Sequence, residues 1–262
     1  MTRALHRPDG AGTTNPEGPL WVVVPAYQEQ ARIGDTLAAL AAQTDRDFTL
    51  VVVDNGSTDG TVAVVEDFAA RAPLPVVLLH EPQKGVGAAV DTGFRYAIAH
   101  GARLLARTDA DCLPHPGWVA AARAGLVAGA GLVCGAIRAR RDEHGPLGRA
   151  GFRVLVFLAA SFGRMRPAHR RTGEYLAPYR MHAGNNMAVT AELYQACGGM
   201  PRRPSPTDRA FLNRVRRSTA AIAHRRDMVV ENSTRRIRAY GVRRTAAWYL
   251  DQGAGPLTED PR

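Results

Sequence analysis

The sequence is poor in cysteine and aromatic residues and lacks any long apolar run. The three cysteines, Cys112, Cys134 and Cys197, have no CxxC spacing and cannot all pair, which excludes a disulfide framework and makes a reducing cytoplasm the expected compartment. The most apolar window, residues 154–162, has about half of the roughly 18 to 20 residues that a membrane-spanning helix needs. The first 18 residues lack the apolar stretch of a signal peptide. We therefore expect neither a membrane span nor secretion.

Lysine is almost absent as well, and the basic residues are unevenly distributed. Lys84 is the only lysine. The formal net charge is +10, but residues 1–131 contain 10 basic and 14 acidic side chains, against 24 basic and 10 acidic in residues 132–262. A GC-rich genome would account for part of the arginine excess. The remainder favours an acidic ligand for the second half, such as a phosphate, a nucleotide or an anionic membrane surface.

What the sequence does contain is a regular alternation of short apolar runs and amphipathic segments. Residues 20–24 form a continuous apolar run typical of a strand buried on both faces, and Ile33, Leu37 and Leu40 share one face of a helix predicted at 33–42. The same alternation predicts strands at 50–53, 76–79 and 103–106 and helices at 61–70 and 87–100. Strands separated by helices imply an α/β fold with a mostly parallel sheet.

The pattern loosens after residue 131. Strands near 131–137 and 184–189 and helices at 152–162, 191–196 and 209–217 are still indicated. We expect one domain over residues 20–251, flanked by disordered tails at 1–19 and 252–262.

Polar residues follow the second predicted strand, at the edge where α/β sheets bind ligands. Asp54 ends this strand and is followed by Asn55, Gly56 and Ser57. A carboxylate there can accept the hydroxyls of a ribose or the imide N–H of a uracil, while Gly56 permits the turn. An ordinary turn with a helix cap behind it explains the same residues, and the sequence leaves both interpretations open.

Two further carboxylates, Asp109 and Asp111, lie one residue apart after the fourth predicted strand. In this spacing they project to the same side and suit a hard divalent cation that also bridges two phosphates. An Asp-x-Asp triplet also occurs by chance, but its position after a buried strand favours a function.

Four short motifs follow one another along the chain: VVVPAYQE at 22–29, VVVDNGSTDGT at 51–61, KGVGAA at 84–89 and TDAD at 108–111. Together they resemble the family 2 glycosyltransferases of the GT-A fold, over roughly residues 20–230. The resemblance implies transfer of a sugar from a nucleotide-diphospho-sugar of UDP, GDP or dTDP type, with inversion at the anomeric carbon and with Mn²⁺ or Mg²⁺ as cofactor. It also implies a nucleotide-binding half, residues 20–131, and an acceptor-binding half, residues 132–251.

The resemblance assigns roles residue by residue in the nucleotide-binding half. The first nucleotide-binding loop of the family is matched by Pro25, Ala26, Tyr27 and Glu29, of which Glu29 would contact the ribose or base. Asp54 matches the acid that binds the nucleoside, and Lys84 and Gly85 match the loop near the base and the diphosphate. Asp109 matches the acid near the ribose or donor sugar, and Asp111 matches the principal metal ligand.

The acceptor-binding half matches the family at two places. Asn185 and Asn186 fall in a segment that leads to a Gly-Gly turn, and their amides suit hydrogen bonds to sugar hydroxyls. Asp208 takes the place of one member of an acidic pair that supplies the general base toward the acceptor hydroxyl. Thr207 replaces the other acid, and one well-placed carboxylate suffices for deprotonation. A polar turn for the asparagines and a helix N-terminal acid for Asp208 remain as structural alternatives.

Three residues are candidates for contact with the donor diphosphate. Arg235 and Arg236 carry guanidinium groups that suit phosphate oxygens, although a solvated basic helix face explains them equally well. His182 precedes the two asparagines and is a candidate for contact with metal or diphosphate. The Gln-x-x-Arg-Trp pattern of polymer-making relatives is absent, which favours the transfer of a single sugar.

Two other functions compete with glycosyl transfer. A sugar nucleotidyltransferase uses a similar sheet, but it would carry a Gly-rich phosphate loop where this chain has residues 26–30. A catalytically weak relative could bind nucleic acid or an anionic membrane through the basic second half, but no recognition motif supports nucleic acid, which we do not expect as a partner. The expected partners are the donor and a hydroxyl acceptor, small or lipid-linked, the latter reached by peripheral contact with the inner membrane face. The oligomeric state is not predicted.

Overall fold

The computed structural model describes residues 2–6, 18–165, 173–179, 184–202 and 207–235, together with 239 and 241. The strands are β1 (Thr2–His6), β2 (Leu20–Ala26), β3 (Phe48–Asp54), β4 (Val76–His80), β5 (Leu104–Thr108), β6 (Cys112–Pro114), β7 (Leu132–Ala139), β8 (Asn186–Thr190) and β9 (Ile222–Asn232). The helices are α1 (Ile33–Ala41), α2 (Thr61–Ala69), α3 (Val86–Ala99), α4 (Trp118–Val127), α5 (Pro146–Met165), α6 (Ala191–Ala196) and α7 (Thr207–Ser218).

The strands form one sheet in the order β1-β4-β3-β2-β5-β8-β7-β9-β6. Strands β4, β3, β2 and β5 are parallel neighbours connected by α1, α2 and α3, which confirms the predicted α/β arrangement. Beyond β5 the sheet is mixed, because β8 runs antiparallel to both β5 and β7, while β7 and β9 are parallel.

Strand β2 lies at the centre of the parallel part and is buried on both faces, as its apolar run predicted. Its side chains alternate between two cores: Val22 and Val24 join the core formed with α1, α2 and α4, and Val23 joins the core formed with α3, α6 and α7. Because both faces of the sheet are covered, the exposed edge at the carboxyl ends of the strands is where polar side chains gather.

The N-terminal segment differs from the expected tail. Residues 2–6 form β1, which pairs antiparallel with β4, whereas we predicted disorder over residues 1–19. Without β1, strand β4 would present a row of unpaired backbone groups at the edge of the sheet, and such an edge readily accepts another strand. Residues 7–17 and 252–262 of the predicted tails lie outside the described residues.

Three described elements that follow β5 were not predicted, namely α4, β6 and β9, and α5 is longer than the helix expected at 152–162. In the described part of the chain no helix has both the length and the apolar character that crossing a bilayer requires.

Candidate active site

Three neighbouring strands, β2, β3 and β5, end at the same edge of the sheet. Glu29 follows β2, Asp54 ends β3, and Asp109 and Asp111 follow β5. The topology therefore brings all four predicted acids to one crevice, which is the usual ligand site of an open α/β sheet.

The loops after β2 and β3 are tied together by Gln28. Its backbone N–H donates to Ser57 Oγ at 3.0 Å, and its side-chain oxygen accepts from the backbone N–H of Thr58 at 2.7 Å. Gln28 has a backbone φ of 54°, a left-handed value that is costly for a residue with a side chain and that concentrates at functional sites. No sequence pattern singled out Gln28, since its partners are about thirty residues away.

The Asp54 carboxylate lies almost wholly buried and holds the turn that follows it. Its oxygens accept hydrogen bonds from the backbone N–H groups of Gly56 at 3.2 Å and Ser57 at 3.1 Å. Asp54 Oδ2 also lies 3.1 Å from His80 Nδ1, at the end of β4. The turn that the sequence offered as an alternative interpretation is thus present, and the same carboxylate stands at the crevice.

Lys84 closes over Tyr27, in the loop that follows β2. Its Nζ donates to the backbone carbonyls of Asn55 and Gly56, each at 3.0 Å, and lies 3.8 Å from the centroid of the Tyr27 ring. Asn55 holds the neighbouring loop because its side-chain oxygen accepts from the N–H of Gly85 at 2.8 Å. The structure therefore brings Tyr27, Asp54, Lys84 and Gly85 together, as the motifs predicted.

Arg235 reaches into the crevice from the end of the described chain. Its guanidinium donates to Glu29 Oε2 at 2.8 Å, makes a second bond to Glu29 Oε1, and lies 3.1 Å from Asp111 Oδ2. One cation thus bridges the acid expected to contact the nucleoside and the acid expected to bind the metal.

Glu143 holds the segment that carries Arg235. Its carboxylate accepts from the hydroxyl of Ser233 at 2.7 Å, from the backbone N–H of Thr234 at 2.7 Å and from Arg32 at 2.6 Å. Burial raises the pKa of Glu143, but these hydrogen bonds and the nearby Arg32 charge outweigh it, so the pKa lies below its ordinary value.

Arg107 is a charged side chain inside the sheet, and it joins the two halves of the site. From β5 it donates to Asp109 Oδ1 at 3.0 Å and to Asp208 Oδ1 at 2.7 Å, while only 2% of its side chain is exposed. Burial lowers the pKa of Arg107, but the two carboxylates outweigh it and raise the pKa above its ordinary value. Asp208, at the start of α7, is thereby held beside Asp109.

The approach of Asp208 depends on Gly184. A Cβ at position 184 would lie 2.0 Å from the carboxyl carbon of Asp208, a distance that no packed side chain tolerates.

The pKa of Asp109 lies above its ordinary value. Burial raises it, as do the neighbouring charges of Asp111 and Asp208, and together they outweigh the opposing effect of Arg107.

The donor chemistry of Asp109 and Asp111 fits a divalent cation, since carboxylate oxygens are the ligands that Mg²⁺ and Mn²⁺ prefer. Asp111 Oδ2 already faces a positive charge, that of Arg235. Among the described residues no group of three or more His, Cys, Asp or Glu side chains surrounds one point.

The two asparagines expected near the sugar have different environments. Asn186 is fully buried: its Oδ1 accepts from Trp118 Nε1 at 2.8 Å and its Nδ2 donates to the carbonyl of Ala136 at 2.8 Å. The prediction that Asn186 binds a sugar hydroxyl is therefore wrong, because the fold uses its amide. Asn185 donates to Cys112 Sγ at 3.3 Å, and its buried Oδ1 has no hydrogen-bond partner in the described part of the chain. His182 and Arg236 lie outside the described residues.

With this geometry in view, known proteins can be compared with the chain. The sequence profile of glycosyl transferase family 2 matches residues 21–191, which is more than half of the chain. The chain belongs to glycosyl transferase family 2. The match covers β2 to β8 and so includes every strand end that contributes an acid to the crevice.

Individual relatives agree with this family. Polyprenol monophosphomannose synthase of Mycolicibacterium smegmatis is 32% identical over 111 residues, 40% of this chain and 42% of that protein. The solved structure of a mannosyltransferase from Pyrobaculum calidifontis, in complex with GDP-Man and Mn²⁺, is similar with a TM-score of 0.63 and 25% identity over 92% of this chain and 66% of that one. The first curated relatives are matched over less than half of their own length.

A third similarity concerns the fold alone. Glucosyl-3-phosphoglycerate synthase of Mycobacterium tuberculosis, solved with Mn²⁺, UDP and glucosyl-3-phosphoglycerate, has a TM-score of 0.57 at 23% identity, over 96% of this chain and 87% of that one. The predicted GT-A fold of a family 2 glycosyltransferase is thus confirmed.

Besides Gln28, two positions that hold side chains at the crevice were not predicted from the sequence, Arg107 and Glu143. Arg107 lies inside β5 but directly after the strand predicted at 103–106, so the prediction did not reveal that its charge is buried and needs a partner. Glu143 carried no signal in the sequence, because its partner Thr234 lies 91 residues further along the chain.

Proposed function

We propose that this family 2 glycosyltransferase transfers one sugar from a nucleotide-diphospho-sugar to an acceptor hydroxyl, with inversion at the anomeric carbon and with Mn²⁺ or Mg²⁺ as cofactor. The observation that carries the proposal is the meeting of four acids, Glu29, Asp54, Asp109 and Asp111, at one edge of the sheet. Asp208 is joined to one of them, Asp109, through Arg107. The similar mannosyltransferase in complex with GDP-Man and Mn²⁺ supports it.

The nucleoside belongs in the crevice between the loops after β2 and β3. Tyr27 offers a ring for stacking, with Lys84 already seated on its other side, and the Asp54 carboxylate accepts hydrogen bonds from ribose or base. The first property to determine is the identity of the base: uracil, guanine or thymine.

The diphosphate is assigned to the region between Asp111 and Arg235. Asp111, with Asp109 beside it, would hold the divalent cation, which when bound neutralises charge on the leaving diphosphate. The Arg235 guanidinium has the forked geometry that suits phosphate oxygens, and its carboxylate partners in the structure are those that the donor would engage.

Asp208 is assigned the role of general base. Arg107 donates to its Oδ1, which fixes the orientation of the carboxylate. Oδ2 has no hydrogen-bond partner among the described residues and is left to accept the proton of the acceptor hydroxyl. The acceptor oxygen then attacks the anomeric carbon on the face opposite the diphosphate, and inversion follows. Asn185, with its unpaired Oδ1, is assigned to a sugar hydroxyl of donor or acceptor.

The deciding experiment is calorimetric titration of UDP, GDP and dTDP into the protein with and without Mn²⁺, repeated with Asp111→Asn. We expect one nucleotide to bind in a metal-dependent way and the variant to lose the metal dependence. Asp227→Asn is the matched control, because Asp227 is an exposed acid of β9 paired only with Arg225 in the described structure. Absence of nucleotide binding under every condition would contradict the proposal.

A further inference from the structure

Helix α5 exposes an apolar face that no described element covers. Leu147 is 90% exposed, Phe157 69%, Val154 58% and Leu158 57%, and these are four of the seven large apolar side chains that are exposed among the described residues. Leu147, Val154 and Leu158 are spaced by seven and four residues, so they lie on one side of the helix, with Phe157 beside them. A contiguous apolar face of this kind marks a contact surface.

The charge around this face is positive. Helix α5 contains no Asp or Glu, and Arg153 lies on it at an exposed position, whereas Arg149 is turned toward Glu231. Arg141, shortly before the helix, also pairs with Glu231, but its side chain is 65% exposed. An apolar face with exposed arginines near it and no acid on its helix is the pattern of a helix that lies in the interface of a membrane with anionic lipids.

The segment leading into α5 contacts the candidate active site. Arg140 donates to the backbone carbonyl of Asp111 at 3.3 Å, and Glu143 holds Thr234, next to Arg235. A surface that bound α5 would therefore lie close to the crevice in which the donor is proposed to bind.

We propose that the apolar face of α5 docks on an anionic phospholipid bilayer, with the helix axis parallel to the membrane plane. A spanning orientation is excluded for the described helices. A second copy of the chain is the less favourable occupant, because two arginine-flanked faces would repel each other. The inference deepens the proposed function, on which its consequence for the substrate rests: an acceptor presented at this surface would be lipid-linked.

The test is sedimentation of the full chain with vesicles, in the absence of donor, metal and acceptor. We expect binding to vesicles made of equal parts phosphatidylglycerol and phosphatidylcholine, weaker binding as salt is raised, and none to phosphatidylcholine alone. The double variant Phe157→Ser with Leu158→Ser should weaken the affinity by about tenfold or more, because two large apolar side chains no longer enter the lipid.

Val127→Ser is the matched control, since Val127 is 44% exposed at the end of α4, on another part of the surface. It should bind vesicles as the unaltered chain does. If the double variant does not fold, as judged by circular dichroism, Leu147→Ser replaces it, because that side chain is the most exposed of the four.

Two results would overturn the inference. One is equal sedimentation of the unaltered chain with and without anionic vesicles. The other is a dimer in solution that the double variant dissociates, which would make the α5 face a contact between copies. Nucleotide titration of the same proteins tests the membrane docking separately from the proposed function. A chain that binds nucleotide but no vesicles disproves the docking alone. A chain that binds vesicles but no nucleotide disproves the proposed transfer reaction alone.

Discussion

The Arg107 side chain contacts acids from both halves of the chain. It is buried in β5 and paired with Asp109, two residues away, and with Asp208, 101 residues away. A buried charge persists only when its partners compensate the loss of water, so Arg107 depends on the two carboxylates, whose side chains are 31% and 35% exposed. This constraint fixes where Asp208 stands relative to the proposed metal ligands.

The role of Asp208 is tested by Asp208→Asn. The amide keeps the size of the side chain but cannot take a proton, so kcat should fall by about 10²- to 10⁴-fold while the affinity for the donor nucleotide changes little. Steady-state kinetics together with nucleotide titration measure both quantities. A variant with unchanged kcat would show that another group is the base.

Gly184 offers a second test at the same place. Because a Cβ at this position would lie 2.0 Å from the Asp208 carboxyl carbon, Gly184→Ala must displace that carboxylate. We expect kcat to fall by about 10²-fold with nucleotide binding preserved, since a displacement of about 1 Å has this effect on a positioned group. Gly117→Ala, at a glycine with no atom within 4 Å of the added Cβ, is the control and should remain fully active.

At the scale of elements, strand β8 separates two neighbouring asparagines. Asn186 contacts Trp118, Ala136 and Met228 inside the protein, whereas Asn185 lies at the crevice end of the strand beside Cys112. Asn186 is the first residue of β8 and Asn185 precedes the strand, so the fold uses the amide of Asn186, whereas Oδ1 of Asn185 has no hydrogen-bond partner among the described residues.

This difference predicts opposite outcomes for two substitutions. Asn186→Ala removes the acceptor of the buried Trp118 indole N–H and one hydrogen bond to each of the carbonyls of Ala136 and Met228, so it should lower the free energy of unfolding by roughly 2 to 3 kcal/mol. Asn185→Ala should change stability by less than about 0.5 kcal/mol and instead reduce activity. Urea unfolding and initial rates distinguish them, and equal losses of stability would refute the assignment.

The elements that could be predicted are those whose local pattern is decided by burial on both faces. Strands β2, β3 and β4 each contain a continuous apolar run of four or more residues, and α1 to α3 have apolar residues on their buried faces. Strand β9 was missed because residues 224–227 are polar or charged and because its pairing with β7 shifts register between Gly135 and Ala136. Helix α4 was missed because alanine and glycine give it little contrast between faces.

The residues of the site also divide into those whose position the local sequence predicts and those whose position it does not. Asp54, Asp109 and Asp111 were predictable because a strand end fixes their position through the local sequence alone. The Arg235 contacts with Glu29, across 206 residues, depend on the return of β9 to the sheet, which no local pattern encodes. Asn186 was misassigned because the sequence does not reveal which face of β8 is covered.

At the scale of the whole molecule, part of the charge imbalance between the halves is used within the protein. Arg235 binds Glu29, Arg202 binds Glu81 at 2.8 Å, and Arg140 binds Asp35 at 2.7 Å, each pairing the basic half with the acidic one. The excess of arginine in residues 132–262 therefore holds the halves together around the crevice as well as offering charge to a ligand.

Two buried glutamates that accept hydrogen bonds make the stability of the fold depend on pH in the acid range. The side chains of Glu143 and Glu231 are both about 5% exposed. Burial raises the pKa of Glu231, but hydrogen bonds from Arg141 and His115 outweigh this effect. The pKa of each acid therefore lies below the ordinary 4.5. Since the folded state favours the ionised form, these acids stabilise it above about pH 4.5, and that contribution is lost as the pH falls through their lowered pKa values.

We therefore expect the thermal unfolding midpoint to fall steeply once the pH drops below about 4. Glu231→Gln should lower the midpoint at neutral pH, because the neutral amide pairs poorly with Arg141, and should make the fall on acidification shallower, because one titrating group is gone. Glu192→Gln, at an exposed position of α6, is the control and should reproduce the original profile. Scanning calorimetry between neutral and acid pH measures both curves, and parallel curves for Glu231→Gln and the unaltered chain would exclude Glu231 as a source of the acid sensitivity.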